Sequence, residues 1–249
     1  MLLGRVLVLA TAFAAGSAIA QALSDFKREK RWADEFVPSL VVGDAVRLRT
    51  GDGIEFLAIY THVVPAKAAV LLAHGPGLHP DHGLTGELRI SLADRGYATL
   101  SLQMPVLAAE VEDSAGYAKL FPEATRRIAT GMQFLRDKGA DRIILVSHAM
   151  GSAMAHDYLR RGPAAPVLAW AALSFYGEFR DMEGNFPILD AYGAADYRGI
   201  RGPAAERARF LQARPGSKQV AVPDGGYFLA GGEKTVLREV GAFLDAVTR

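Results

Sequence analysis

The chain has no cysteine among its 249 residues. Structural disulfides and a thiolate nucleophile are thereby excluded, and the absence suits a protein that crosses an oxidising compartment without risk of mispairing. An excess of either charge is missing too: 28 basic side chains stand against 27 acidic ones, a formal net charge of +1. Such a balance leaves no electrostatic footprint for nucleic acid. The one basic cluster, Lys27, Arg28, Lys30 and Arg31, is interleaved with Asp25, Glu29, Asp34 and Glu35, so it predicts a solvated helix face rather than a patch. Histidine is scarce and lopsided, with six in all and none beyond His156. Internal repeats, low-complexity tracts and linkers are also lacking.

What is present is a chain that is half apolar and about one-fifth charged, the composition of an ordinary globular domain with a sizeable core. Residues 1–22 read as a signal peptide. Arg5 supplies the positive start, residues 6–20 form an apolar run of h-region length, and Ala18-Ile19-Ala20 gives the small-x-small cleavage pattern before Gln21. Export is the expectation, with the mature chain starting near Gln21 or Leu23; membrane association would require that segment to stay uncleaved, and it falls short of the ~20 residues of a spanning helix. Residues 23–249 are then one domain.

Two kinds of strand follow. Residues 44–50 and 54–62 alternate polar and apolar around Gly51-Asp52-Gly53, which predicts an antiparallel hairpin. The runs at 68–74, 97–102, 142–147, 167–175, 186–193 and 218–223 are short and almost continuously apolar, as strands buried on both faces of a parallel sheet should be. Amphipathic stretches at 86–96, 123–139, 203–214 and 233–248 supply helices between them. This alternation predicts a right-handed, doubly wound, mostly parallel α/β sheet of about eight strands.

Ligands of such sheets bind beyond the carboxyl ends of the strands. Those positions hold "HGPGLHPDHG" after the third strand, "SHAMG" after the fifth, "YGAAD" after the seventh and "PDGGYF" after the eighth. In this order the four stations resemble the oxyanion loop, nucleophile elbow, acid and histidine of the α/β-hydrolase superfamily. The stretches "REKRWADEFVPSLVVGD", "LSLQMPVL", "FPEATRRI" and "FPILDAYG" are similar to an uncharacterised bacterial family of exported α/β-hydrolase-like proteins. The resemblance implies an α/β-hydrolase fold in the periplasm and supplies no reaction.

The stations themselves lack the chemistry. The elbow reads Ser147, His148, Ala149, Met150, Gly151, with a methyl group where a Ser, Cys or Asp would attack. Asp196 occupies the acid station, and Tyr227 stands where the imidazole should be. A phenol with a reference pKa of about 10 is a poor base near neutral pH, so Asp196 is left with no imidazole to orient. Pro76 follows His74-Gly75 and has no N–H for an oxyanion hole, leaving the Met150 amide.

Three coordinated departures predict a pseudo-hydrolase that binds a small molecule, peptide or envelope protein through His74, Gly75, Gly77, His148, Ala149 and Met150. The competing expectation is a hydrolase of unconventional mechanism using Asp196 and the loop histidines His74, His79 and His82. His74, His79, Asp81 and His82 do not follow a zinc-ligand spacing, so neither metal nor cofactor is expected. Phe175, Tyr176, Phe179 and Phe186 read as core or rim packing. The 176–185 segment is too short for a large cap, and Glu110, Glu112 and Asp113, in the loop after Met104, are expected to face solvent.

Overall fold

A computed structural model of the chain describes residues 24–111, 114–162, 166–182 and 184–249. The leader segment expected at 1–22, and with it Glu112 and Asp113, lie outside the described residues. Eight strands form one sheet: β1 (Asp44–Arg49), β2 (Glu55–Thr61), β3 (Ala69–Ala73), β4 (Ala98–Leu102), β5 (Ile143–His148), β6 (Ala169–Leu173), β7 (Ile188–Gly193) and β8 (Lys218–Val222). Their order across the sheet is β1-β2-β4-β3-β5-β6-β7-β8. The β1–β2 and β2–β4 pairings are antiparallel and the rest parallel, as the hairpin and apolar runs predict.

Side chains of the parallel strands alternate between two cores, one on each face. Leu71, Leu145 and Trp170 face one side, while Val70, Leu72, Ile144 and Val146 face the other. Over the first face lie α3 (Phe121–Asp137) and α4 (Met150–Arg160), through Ile128, Met132, Leu135, Met154 and Leu159. Over the second lie α2 (Gly83–Asp94) and α7 (Glu233–Val247), through Leu88, Leu92, Val236, Val240 and Leu244. The short α5 (Arg198–Arg201) and α6 (Ala204–Gln212) join β7 to β8, and Phe175 and Phe179 are buried against Trp170 rather than lining a pocket. Among the described residues there is no large cap.

The N-terminal helix α1 (Phe26–Phe36) departs from the solvated face expected for it. Asp25 caps it by accepting the Arg28 N–H at 3.0 Å, and Lys27, Lys30, Arg31, Asp34 and Glu35 are exposed. Glu29, however, is buried. Its carboxylate meets the Arg127 guanidinium of α3 at 3.0 and 3.1 Å, and Arg127 also holds Glu123 and the Gln103 carbonyl. Ser24 completes the clasp: its N–H donates to Glu123, its hydroxyl is bonded to Glu29, and it accepts the Val106 N–H. The partner that draws Glu29 inward lies 98 residues away, beyond the reach of any helical period.

This clasp sets α1 across the loops that follow β3 and β4. Arg28 donates to the Leu107 carbonyl at 2.8 Å, and Phe36 stacks on His79 with ring centroids 4.5 Å apart. The carboxyl edge of the sheet is thus roofed in part by α1.

Candidate functional site

The elbow is built by close contact. Between β5 and α4, Ala149 takes φ 51°, ψ −114°, a strained conformation for a residue with a side chain. Its N–H is tied to the Leu173 carbonyl at 2.8 Å, and its own carbonyl accepts from Ser152. A Cβ at Gly151 would fall on the Ala73 and His74 carbonyl oxygens, so only glycine lets α4 start this near the end of β3. The turn is that of a nucleophile elbow, yet Ala149 is fully buried.

The two neighbouring serines are engaged in the core. The Ser147 hydroxyl accepts the Trp170 indole N–H at 2.7 Å and donates to the Ser152 hydroxyl, which donates onward to the Leu173 carbonyl. Both serines are buried and serve as links in a chain of core hydrogen bonds.

Asp196 follows β7 in the Gly193–Asp196 turn and is 1% exposed. Its carboxylate accepts three bonds: from the Ser174 hydroxyl at 2.9 Å, the Tyr197 N–H at 3.0 Å and the Phe228 N–H at 3.1 Å. These donors are one hydroxyl and two backbone amides. They come from loops after β6, β7 and β8, so the acid now ties three loops together. Ser174 could have been suspected as a polar residue just past an apolar strand; the backbone donors leave no mark in the sequence.

Tyr227 is 62% exposed, beside the partly exposed ring of Tyr197 at 5.7 Å. Phe228 and Leu229 adopt positive φ of 51° and 67°, which turns Tyr227 outward and directs the Phe228 amide to Asp196. On the other side of that peptide, His148 Nε2 lies 3.0 Å from the Phe228 carbonyl. A carbonyl can only accept, so Nε2 carries the proton. Burial holds the His148 pKa below the ordinary value, against the opposite pull of the Phe228 carbonyl and Asp196.

His74, 1% exposed, is spoken for on both ring nitrogens. Nδ1–H donates to the Gly75 carbonyl at 2.7 Å, and Nε2 accepts the Met104 N–H at 2.9 Å. Burial drives its pKa down from 6.5 to about 3. The neighbouring Gly77, with φ 66°, gives its N–H to the Tyr117 hydroxyl at 2.9 Å, while the Tyr176 hydroxyl reaches the Met150 sulfur. Tyr117 was absent from the sequence expectation and Tyr176 entered it only as core or rim packing, their loops having no periodicity toward the elbow.

The remaining loop histidines go elsewhere. His79 is stacked on Phe36, His82 meets it edge-on, and Asp81 pairs with the buried Arg89. Burial, reinforced by His82, lowers the His79 pKa to about 4. Among the described residues, no group of three His, Asp or Glu side chains is placed to hold a metal ion. Nor does the structure bring Asp196 together with His74, His79 or His82, because each already has other partners. Surface cavities of about 510 and 560 Å³ lie between α1 and the β1–β2 hairpin and at the opposite edge of the sheet near Arg142 and Phe186; neither is lined by Ala149, Asp196 or Tyr227.

The neutral His74 gives a pH prediction. The unfolded chain binds its proton near pH 6.5 and the folded chain only near 3, so stability contributed above pH 6.5 is lost as pH falls through that interval. At pH 5 the loss from this group is about 2 kcal/mol relative to neutral pH. Urea unfolding midpoints measured at both pH values should show it, with a shallower slope in His74→Gln; equal slopes would refute it.

Neither a protein-family model nor a curated protein sequence matches the chain. Solved structures do. Dienelactone hydrolase from Anabaena variabilis is similar at a TM-score of 0.65 and 17% identity, over 82% of this chain and 97% of that one. The fold is that of the α/β hydrolases. An α/β serine hydrolase without lid from Xanthomonas campestris gives a TM-score of 0.63 at 13% identity, covering 83% of this chain and 95% of its own. The esterase Pf2001 of Pyrococcus furiosus gives 0.63 at 13%, covering 82% and 92%. Of the three residues expected at the triad stations, Ala149 and Asp196 are buried and Tyr227 faces solvent.

Proposed function

We propose that this chain is an exported, non-catalytic member of the α/β-hydrolase fold that acts by binding. The observation that carries the reading is Ala149, which holds the strained elbow geometry with a buried methyl group as its only side chain. Support comes from the acid, whose oxygens are taken up by Ser174, Tyr197 and Phe228, and from Pro76, which offers no N–H beside His74-Gly75. Hydrolysis by this fold needs a nucleophile, a base and an oxyanion hole together; the first two are replaced here. Export rests on Arg5, the apolar run of residues 6–20 and Ala18-Ile19-Ala20. Periplasmic residence follows from it, and the occupant of the site is a small molecule, a peptide or an envelope protein.

The purified chain should neither be labelled by a fluorophosphonate probe nor turn over activated esters above the heat-denatured control. Stoichiometric labelling, or turnover abolished by heat, would sink the reading.

A further inference from the structure

Helix α1 is fixed at its two ends. The bonds of its first turns run to Arg127, Val106 and Leu107, and Phe36 at its far end stacks on His79. Of its eleven residues only Glu29 and Ala33 are buried, so space remains beneath it. A cavity of about 510 Å³ lies there, between α1 and the β1–β2 hairpin, within the ~300–1,000 Å³ usual for small-molecule sites. Its floor is apolar: Phe56 and Leu57 of β2 are buried, and Phe26 and Ile54 half-buried. The rings of Phe26 and Phe56 also lie 5.8 and 5.1 Å from the Arg127 guanidinium, so the cavity backs onto the clasp.

Four charged side chains border the same cavity, and three are already matched. Glu29 is held by Arg127 at 3.0 Å, Lys30 pairs with Asp34 at 2.6 Å, and Glu55 pairs with Arg49 at 3.0 Å. Arg47 is the exception, with neither an ion pair nor a hydrogen bond among the described residues. The contrast with Arg49 shows why. Both point to one face of β1, but Arg49 stands opposite Glu55 and Arg47 opposite Leu57. Arg47 can therefore lay its stem along the apolar floor while its fork stays free. It also borders an adjoining cavity of about 310 Å³ under Ala33, Val37 and Pro38, which places the unmatched cation where the two spaces meet.

An apolar floor beside one free guanidinium suits a ligand with an aliphatic chain and a single anionic end. A carboxylate matches the planar fork through two parallel N–H···O bonds. A doubly charged headgroup would bring its second charge against Glu29 and Glu55 on the same walls. We propose that this cavity binds an aliphatic monocarboxylate, its chain lying on Phe26, Ile54, Phe56 and Leu57 and its carboxylate received by Arg47. The site is separate from the elbow, and the inference holds whether or not the chain is catalytic. No bond is made or broken.

The test uses the whole purified chain labelled with ¹⁵N, titrated near neutral pH with octanoate kept below its micelle-forming concentration. The amide resonances of Arg47, Ile54 and Leu57 should shift saturably. Two further probes divide the ligand into its parts: 1-octanol has the same chain without the charge, and acetate has the charge without the chain. Each should bind more weakly than octanoate. Arg47→Leu should weaken octanoate binding by roughly fivefold, the upper end for an exposed ion pair. The comparison of octanoate with 1-octanol needs no variant, so it decides the matter even if Arg47→Leu folds poorly. The proposal is overturned if octanoate produces no saturable shift at these amides, or if 1-octanol or acetate binds as tightly as octanoate. Undiminished octanoate affinity in a folded Arg47→Leu protein overturns it as well.

Discussion

Replacing Arg127 with alanine should destabilise the protein by about 3–5 kcal/mol, the largest effect expected of any charged side chain in the fold. Arg127 and Glu123 are fully buried, and Glu29, which shares the same guanidinium, is 8% exposed. Removing the cation leaves two buried acids facing each other with Ser24 as their main remaining donor. For a domain of this size that corresponds to a melting temperature lower by roughly 6–20 °C. The pH dependence has a definite sign. Burial already raises the Glu29 pKa above 4.5, against the pull of Arg127. Without that pull the folded form prefers the protonated acid more strongly, so the deficit is full at neutral pH and shrinks as pH falls toward 4.5. A triple variant, Arg127→Met with Glu29→Leu and Glu123→Leu, should regain most of the loss, because no uncompensated charge remains. Thermal melts at pH 7 and 5 would decide it; a single variant within about 1 kcal/mol of the parent would show that the clasp does not hold α1 down.

Asp196 should behave as a tie between loops and not as an acid of a mechanism. Asp196→Ala strands the Phe228 and Tyr197 N–H groups and the Ser174 hydroxyl, at a combined cost of roughly 2–4 kcal/mol. Asp196→Asn keeps an acceptor for both amides, and the Ser174 hydroxyl can rotate to accept instead, so its cost should stay near 1 kcal/mol. In a working triad the ranking differs, because the Asn variant there loses about 10⁴-fold in rate with its geometry intact. Amide hydrogen exchange at Phe228 gives an independent reading: fast exchange in the alanine variant and slow exchange in the asparagine one. Equal destabilisation by the two changes would mean that the carboxylate's charge, rather than its hydrogen bonds, holds the turn.

Much of the architecture was written in local pattern. Ala69–Ala73 and Ile143–His148 announce themselves because a strand covered on both faces must be apolar at every position, and the β1–β2 hairpin because one of its faces is not covered. Asp196 stood out for a related reason: it follows an apolar strand, Ile188–Gly193, at the edge where loops converge. The details of the site follow a different logic. That Glu29 turns inward depends on Arg127, that Asp196 is fully engaged depends on Ser174 and Phe228, and that Tyr227 turns outward depends on left-handed residues that carry no glycine to advertise them. Each is a pairing between loops or helices distant in sequence, and period and composition are silent about such pairings.

Gly151 carries a last consequence. It belongs to the small-x-nucleophile-x-small signature, but what demands it is the crowding of α4 against the Ala73 and His74 carbonyls, a demand that persists whether or not any ester is ever cleaved. Selection on packing alone would preserve that half of the signature long after a reaction had been lost. An elbow glycine therefore reports packing, and evidence of chemistry has to be sought two residues earlier, at the position of Ala149.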